Sequence, residues 1–223
     1  MRIRSHLGIS DRRQEQVSRI LQVSLLAFFF LGLSRGNLGV IVNSLVAIAV
    51  TSLPAVLERD YQISIDPGLA LWISGAVFLH ALGTVGLPVL AKPLYQSVWW
   101  WDHLTHALSA SLVGATGYAT VRALDRHTED LYFPPAAMFV LILLIVLAFG
   151  VLWEILEFAI AGISHVLGAT SVLTQYGIGD TMLDLVFDAF GAVVVATWGT
   201  AYLAGVSDVF LARLESIHEN AKR

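Results

Sequence analysis

Residues 134–161 read PPAAMFVLILLIVLAFGVLWEILEFAIA. No residue from Pro134 to Trp153 is charged, and a helix of about 20 apolar residues crosses the hydrocarbon core of a bilayer. The run is continuous rather than alternating, which fits a helix and argues against a barrel strand. Two glutamates, Glu154 and Glu157, then follow inside the same apolar stretch. A membrane-spanning helix that carries its own carboxylates sets the terms for the rest of the chain.

Five further stretches have comparable length and character: residues 17–33, 38–57, 68–90, 102–121 and 180–205. The first is short and holds Arg19, whose long stem lets its charge reach the interface. Ser34-Arg35-Gly36-Asn37, Asp66-Pro67-Gly68 and Phe133-Pro134-Pro135 supply turn chemistry between spans. Pro134 and Pro135 suit the first turn of a helix, whereas Pro54 and Pro88 are expected to kink or end theirs. The fold expected is all-α: one polytopic bundle of six transmembrane helices over residues 17–205. A cytoplasmic segment, 1–16, precedes it and a cytoplasmic tail, 206–223, follows. The charged start and first apolar run resemble a signal peptide, but no A-x-A-like cleavage site follows, so they are expected to remain as the first helix. No internal repeat is visible.

Composition excludes other classes. The 223 residues are 57% hydrophobic and 13% charged, with mean hydropathy +0.73. A soluble domain carries about 25% charged residues, and half that share does not solvate a globule of this size. A net charge of −4 without a dense basic run argues against nucleic acid as a partner. With no cysteine, there is no disulfide framework, thiol catalysis or Cys-ligated zinc. The solvent is a lipid bilayer.

Orientation follows from the positive charges. With the N-terminus inside, Arg2, Arg4, Arg12, Arg13, Arg19, Arg59, Arg122, Arg126, Arg213, Lys222 and Arg223 are cytoplasmic, and only Arg35 and Lys92 are outside. Eleven against two is a strong positive-inside bias. It places both termini in the cytoplasm of a cell with an inner membrane, and Trp99, Trp100 and Trp101 at the outer interface.

No Lys or Arg lies between Arg126 and Arg213, yet the spans from residue 102 onward contain Asp102, Glu154, Glu157, Asp180, Asp184 and Asp188. One carboxylate at a helix centre costs roughly 2.5–3.5 kcal/mol on insertion scales. Several without basic partners must be protonated, reach water or bind a cation. Spacing groups them: Asp102 and His106 are i,i+4, Glu154 and Glu157 i,i+3, and Asp180 and Asp184 i,i+4. Small residues continue these stripes (Ala110, Gly114, Gly150, Ala161, Gly191 and Gly199), as expected where helices approach closely in a membrane. His80, toward the outer end of the third span, falls at the same level.

Carboxylate oxygen with imidazole nitrogen suits Zn, Mn or Fe, and oxygen alone suits Mg. The expected metal ligands are His80, Asp102, His106, Glu157, Asp180 and Asp184, with Glu154 as catalytic base. His103, about 100° round the helix from Asp102, and Asp188, one turn deeper, are expected to support them. The leading function is a metal-dependent hydrolase of a lipid or another membrane-embedded small molecule. A cation- or proton-coupled transporter and a non-catalytic scaffold are the alternatives. Protonated structural acids are the plain reading of the same cluster.

Trp101-Asp102-His103-Leu104-Thr105-His106 resembles the Tyr-Asp-x-x-x-His segment of the YjdF-like inner-membrane proteins. Phe78-Leu79-His80-Ala81-Leu82-Gly83 precedes it as in that family. Trp153-Glu154-Ile155-Leu156-Glu157-Phe158 and Asp180-Thr181-Met182-Leu183-Asp184, with Gly191-Ala192, follow in order. The chain departs from the family after His80, where Gly83-Thr84-Val85-Gly86 replaces a Gly-x-x-Tyr-x-Tyr continuation. The resemblance implies a multi-span membrane fold in which His80, Asp102, His106, Glu154, Glu157, Asp180 and Asp184 are the family's polar positions; it implies no reaction. The Asp-x-x-x-His piece is more distantly similar to VanZ-like membrane proteins.

Overall fold

The computed structural model describes residues 10–86, 92–128, 132–173 and 175–199, and near the C-terminus 207, 208, 211, 212 and 215. Most of the expected segments 1–16 and 206–223 lie outside the described residues, as do Pro88 and residues 200–205 of the last expected span. Among the described residues the chain is all-helical and contains no strand. In order the helices are α1 (Asp11–Arg35), α2 (Leu38–Tyr61), α3 (Pro67–Thr84), the one-turn α4 (Leu94–Ser97), α5 (Trp101–His127), α6 (Pro135–Leu167) and α7 (Ile178–Val194). A π-helical turn, Val195–Gly199, continues α7.

The turn chemistry acts as read. Gly36 closes α1 with φ 61°, a left-handed conformation that glycine adopts without strain, and Asn37 Oδ1 accepts from Val40 N at 3.1 Å to cap α2. Asp66 caps α3 by accepting from Gly68 N at 2.8 Å, and Pro135 begins α6. Two boundaries differ from expectation. α2 runs through Pro54 and on to Tyr61, past the expected end at residue 57. α3 stops at Thr84 instead of continuing to residue 90, because Gly86 turns aside to bridge Pro93.

Among the described residues four helices, α1, α2, α3 and α6, are long and apolar enough to cross a membrane. α7 is only 17 residues long and carries three aspartates; α5 is long but holds Asp102, His103 and His106 in its first turns. Position explains the difference. α1, α2 and α3 pack on one another, α5, α6 and α7 do the same, and α3 joins the two groups through α5. α5 is therefore interior, shielded by α3, α6 and α7, and needs no apolar surface for lipid.

The group built on α5 is packed around Ala110, Ala115, Tyr118, Ile142, Val146, Ala192 and Val195. The other is centred on Leu25, Ala47 and Ala81, with Phe28 stacked on Phe78 at 5.6 Å. A side chain added at Gly114 would start 3.3 Å from Val146 and 3.5 Å from Ile142. Gly114→Leu is thus expected to cost about 1–3 kcal/mol by overpacking, read as a lower melting temperature in detergent. An unchanged melting point would mean that this face does not point inward.

At the end of the bundle away from the site, Asp125 pairs with Arg122 and accepts from Phe133 N at 2.7 Å, pinning the connection into α6. Arg126 pairs with Asp208.

Candidate functional site

Residues 36–37, 92–100, 168–173 and 175–177 of the connections meet at one end of the bundle, over the polar first turns of α5 and α7. Here the two helices are joined by a ladder of histidine–aspartate pairs. His103 Nδ1 meets Asp184 Oδ1 at 2.8 Å, and one turn deeper His106 Nδ1 meets Asp188 Oδ1 at 3.3 Å. All four residues are buried. Phe187 stacks on the His103 ring, with centroids 4.9 Å apart and planes within 7°. The i,i+3 and i,i+4 spacings on facing helices make the ladder possible.

With Nδ1 of His106 held by Asp188, Nε2 faces three carboxylates: Asp102 Oδ1 at 3.8 Å, Glu154 Oε1 at 3.9 Å and Asp184 Oδ2 at 4.0 Å. These separations are too long for hydrogen bonds. They match ligands of one ion, which at about 2.1 Å from the metal stand roughly 3–4.2 Å from one another. One ligand atom each from Asp102, His106 and Asp184 lies within 4.8 Å of the others.

Glu154 sharpens the geometry. Its Oε2 accepts from Thr181 Oγ1 at 2.7 Å, and Gln175 Nε2 donates to that hydroxyl at 3.1 Å. Its Oε1, the oxygen turned toward His106, is buried without a hydrogen-bond partner. A buried carboxylate oxygen left in this way calls for a partner of opposite charge or a proton.

The other expected ligands stand aside. Glu157, one turn further along α6, accepts from Trp153 Nε1 at 3.0 Å. Together with Asp102 it lines a cavity of about 190 Å³. Asp180 sits half-buried at the start of α7, where its Oδ2 accepts from Tyr176 N at 3.4 Å. His80 also lines the cavity, but both its ring nitrogens are engaged, Nε2 with Asn43 Oδ1 at 3.1 Å and Nδ1 with Tyr95 OH at 2.7 Å. The structure thus gathers Asp102, His106, Glu154 and Asp184 around one point. It puts His103 and Asp188 directly behind Asp184 and His106.

Three residues not assigned from the sequence take part. Asn43 Nδ2 donates to Gly39 O at 2.9 Å and to Val172 O at 3.0 Å, tying the loop over the site to α2. Tyr95 reaches His80 from α4, and burial, reinforced by the charges of Asp102 and Glu157, pushes its phenol above the ordinary range and keeps it protonated. Thr181 holds Glu154. The available signals were weak: a lone amide in an apolar span and a hydroxyl beside Asp180. Trp101 donates to Leu79 O at 3.2 Å and links α5 to α3, while Trp99 beside it is exposed.

Residues 17–205 match the family described as Predicted membrane protein (DUF2238), nearly the whole helical region. The chain belongs to that family. It is the YjdF-like family whose motifs run from His80 to Gly191. An uncharacterized protein of Thermotoga maritima is 31% identical over 145 residues, covering 64% of this chain and 67% of the relative. No solved structure matches. The DUF2238 chain is therefore a membrane protein, and its buried His/Asp group can be read only from its own atoms.

Proposed function

We propose that the gathered group is a divalent-cation site and that the protein is a metal-dependent hydrolase acting on a lipid or small molecule within the membrane. Asp102, His106 and Asp184 hold the ion in this reading. The observation that carries it is the partnerless, buried Oε1 of Glu154, 3.9 Å from His106 Nε2 and aimed at the same point.

The supporting pairs suit such a site. A carboxylate on the far nitrogen of a ligating histidine fixes its tautomer and raises its basicity, which is what Asp188 would do for His106. His103 would orient Asp184 in the same manner. A divalent ion here supplies acidification of water and polarisation of a scissile carbonyl or phosphoryl oxygen. Glu154, clamped through Oε2 by Thr181, is placed to take the proton on Oε1.

The tightly packed apolar layer of Tyr118, Val121, Met138, Ile142 and Val146 continues from the site toward the far end. That favours an enzyme over a transporter, which needs a polar path to both sides. We take six helices to span the membrane, with the site in the outer leaflet, on the distribution of Lys and Arg. A cytoplasm-active reporter at the C-terminus that stays silent would refute this orientation.

Elemental analysis of the purified full chain tests the metal reading. About one equivalent of a transition metal or magnesium per chain is expected after mild purification, falling below a tenth in His106→Ala. Protein free of metal that also fails to take up zinc or manganese on dialysis sinks the proposal.

A further inference from the structure

The cavity beside the metal group has an unusual polarity. Among the described residues no Lys or Arg lines it, and Asp102 and Glu157 do. The hydroxyls whose hydrogen bonds are fixed have turned their protons away: Thr84 donates to Ala81 O at 2.7 Å and Ser171 to Leu173 O. Tyr95 does the same, for a reason that starts at Asn43. Both donor positions of that amide carry carbonyl partners, so Oδ1 is the atom facing His80 and accepts from Nε2–H. Among the described residues no carboxylate lies within ion-pair distance of His80, so the ring is neutral and Nδ1 is a bare acceptor. The Tyr95 hydroxyl must donate to it, and since Thr105, 3.3 Å from that hydroxyl, gives its own proton to Asp102 O at 2.8 Å, the Tyr95 lone pairs are left to the cavity.

We infer that this chamber receives a primary ammonium group of the substrate, held by Glu157 and the oxygen of Tyr95. The word substrate rests on the hydrolase reading; the chamber's choice of ligand does not. A primary ammonium brings three donors and a positive charge to the Glu157 carboxyl and the Tyr95 oxygen. A phosphate or carboxylate offers only lone pairs to the same oxygens, and a quaternary ammonium has no N–H to give. At about 190 Å³, roughly the liquid volume of six waters, the chamber accepts a head of a few heavy atoms and leaves any acyl chain outside.

Titration calorimetry on the full chain in phosphatidylcholine nanodiscs, with n-butylammonium, n-butyltrimethylammonium, butyrate and butyl phosphate, tests this. Butylammonium is expected to bind at least tenfold more tightly than its trimethyl analogue, with no heat from either anion. Glu157→Gln should weaken butylammonium at least tenfold. Tyr95→Phe, which removes the acceptor and keeps the ring, should weaken it several-fold and guards against misfolding of the first variant. Equal binding of the trimethyl compound, tighter binding of butyl phosphate, or indifference to both substitutions overturns the inference. Repeating the titration with chelator separates the two readings. Butylammonium binding that persists in metal-free protein upholds the chamber whatever becomes of the metal site, and binding that vanishes with the metal overturns the chamber.

Discussion

Asp184→Asn removes the melting-temperature gain that a divalent cation gives the parent chain. At a hundredfold excess over its dissociation constant, a ligand that binds only the folded state stabilises it by about 2.7 kcal/mol. For a chain of this size that is a rise of roughly 5–11 °C. Asparagine keeps the shape of Asp184 and an acceptor for His103 Nδ1, now 2.8 Å away, but takes one charge from the group around His106 Nε2. The metal-free variant should be at least as stable as the metal-free parent, because one of several crowded carboxylates is gone. Structural protonated acids predict otherwise: metal and chelator change nothing in either protein. A full metal shift in Asp184→Asn would remove this residue from the ligand set.

Gly191→Ala should separate α5 from α7 and cost the protein its site along with its stability. A Cβ at residue 191 would stand 3.1 Å from Ser111 N and closer still to Ala107 O, and backbone does not yield as a side-chain tip does. The expected loss is about 1–3 kcal/mol for alanine and more for leucine. Because both histidine–aspartate pairs bridge these same helices, metal affinity should fall at least tenfold in whatever protein still folds. Gly75→Ala is the control: nothing lies within 4 Å of that Cβ, and alanine is the better helix former, so melting should hold or rise. Equal melting points for parent and Gly191→Ala would mean the two helices are not in backbone contact.

How far the sequence foretold this arrangement can be seen residue by residue. Long apolar runs locate α1, α2, α3 and α6, since lipid leaves a chain few other choices. The i,i+4 spacings put Asp102 with His106 and Asp180 with Asp184 on shared helix faces, because helical periodicity is a local property. His103 was harder to read. A 100° offset removes it from the face of Asp102, but α5 and α7 cross so closely at Gly191 that α7 covers both faces. Glu157 shares a stripe with Glu154, yet only tertiary packing decides that Glu154 meets His106 while Glu157 lines the cavity. Asn43 with Val172 and Tyr95 with His80 depend on which loops fold over which helix, and no local pattern encodes that. The short bridge from Gly86 to Pro93 ends α3 early for the same reason.

The interior place of α5 bears on how the chain is made. A ribosome delivers α5 to the membrane before α6 and α7 exist, with Asp102, His103 and His106 still uncovered. Lipid is a poor host for such a segment, and its shelter at that moment comes from α3 and the short α4, already in place. Biogenesis of this protein therefore has a vulnerable interval, opening as α5 leaves the ribosome and closing when α7 delivers Asp184 and Asp188 to their histidines. Chains arrested within it would expose unpaired imidazoles and become candidates for membrane quality control.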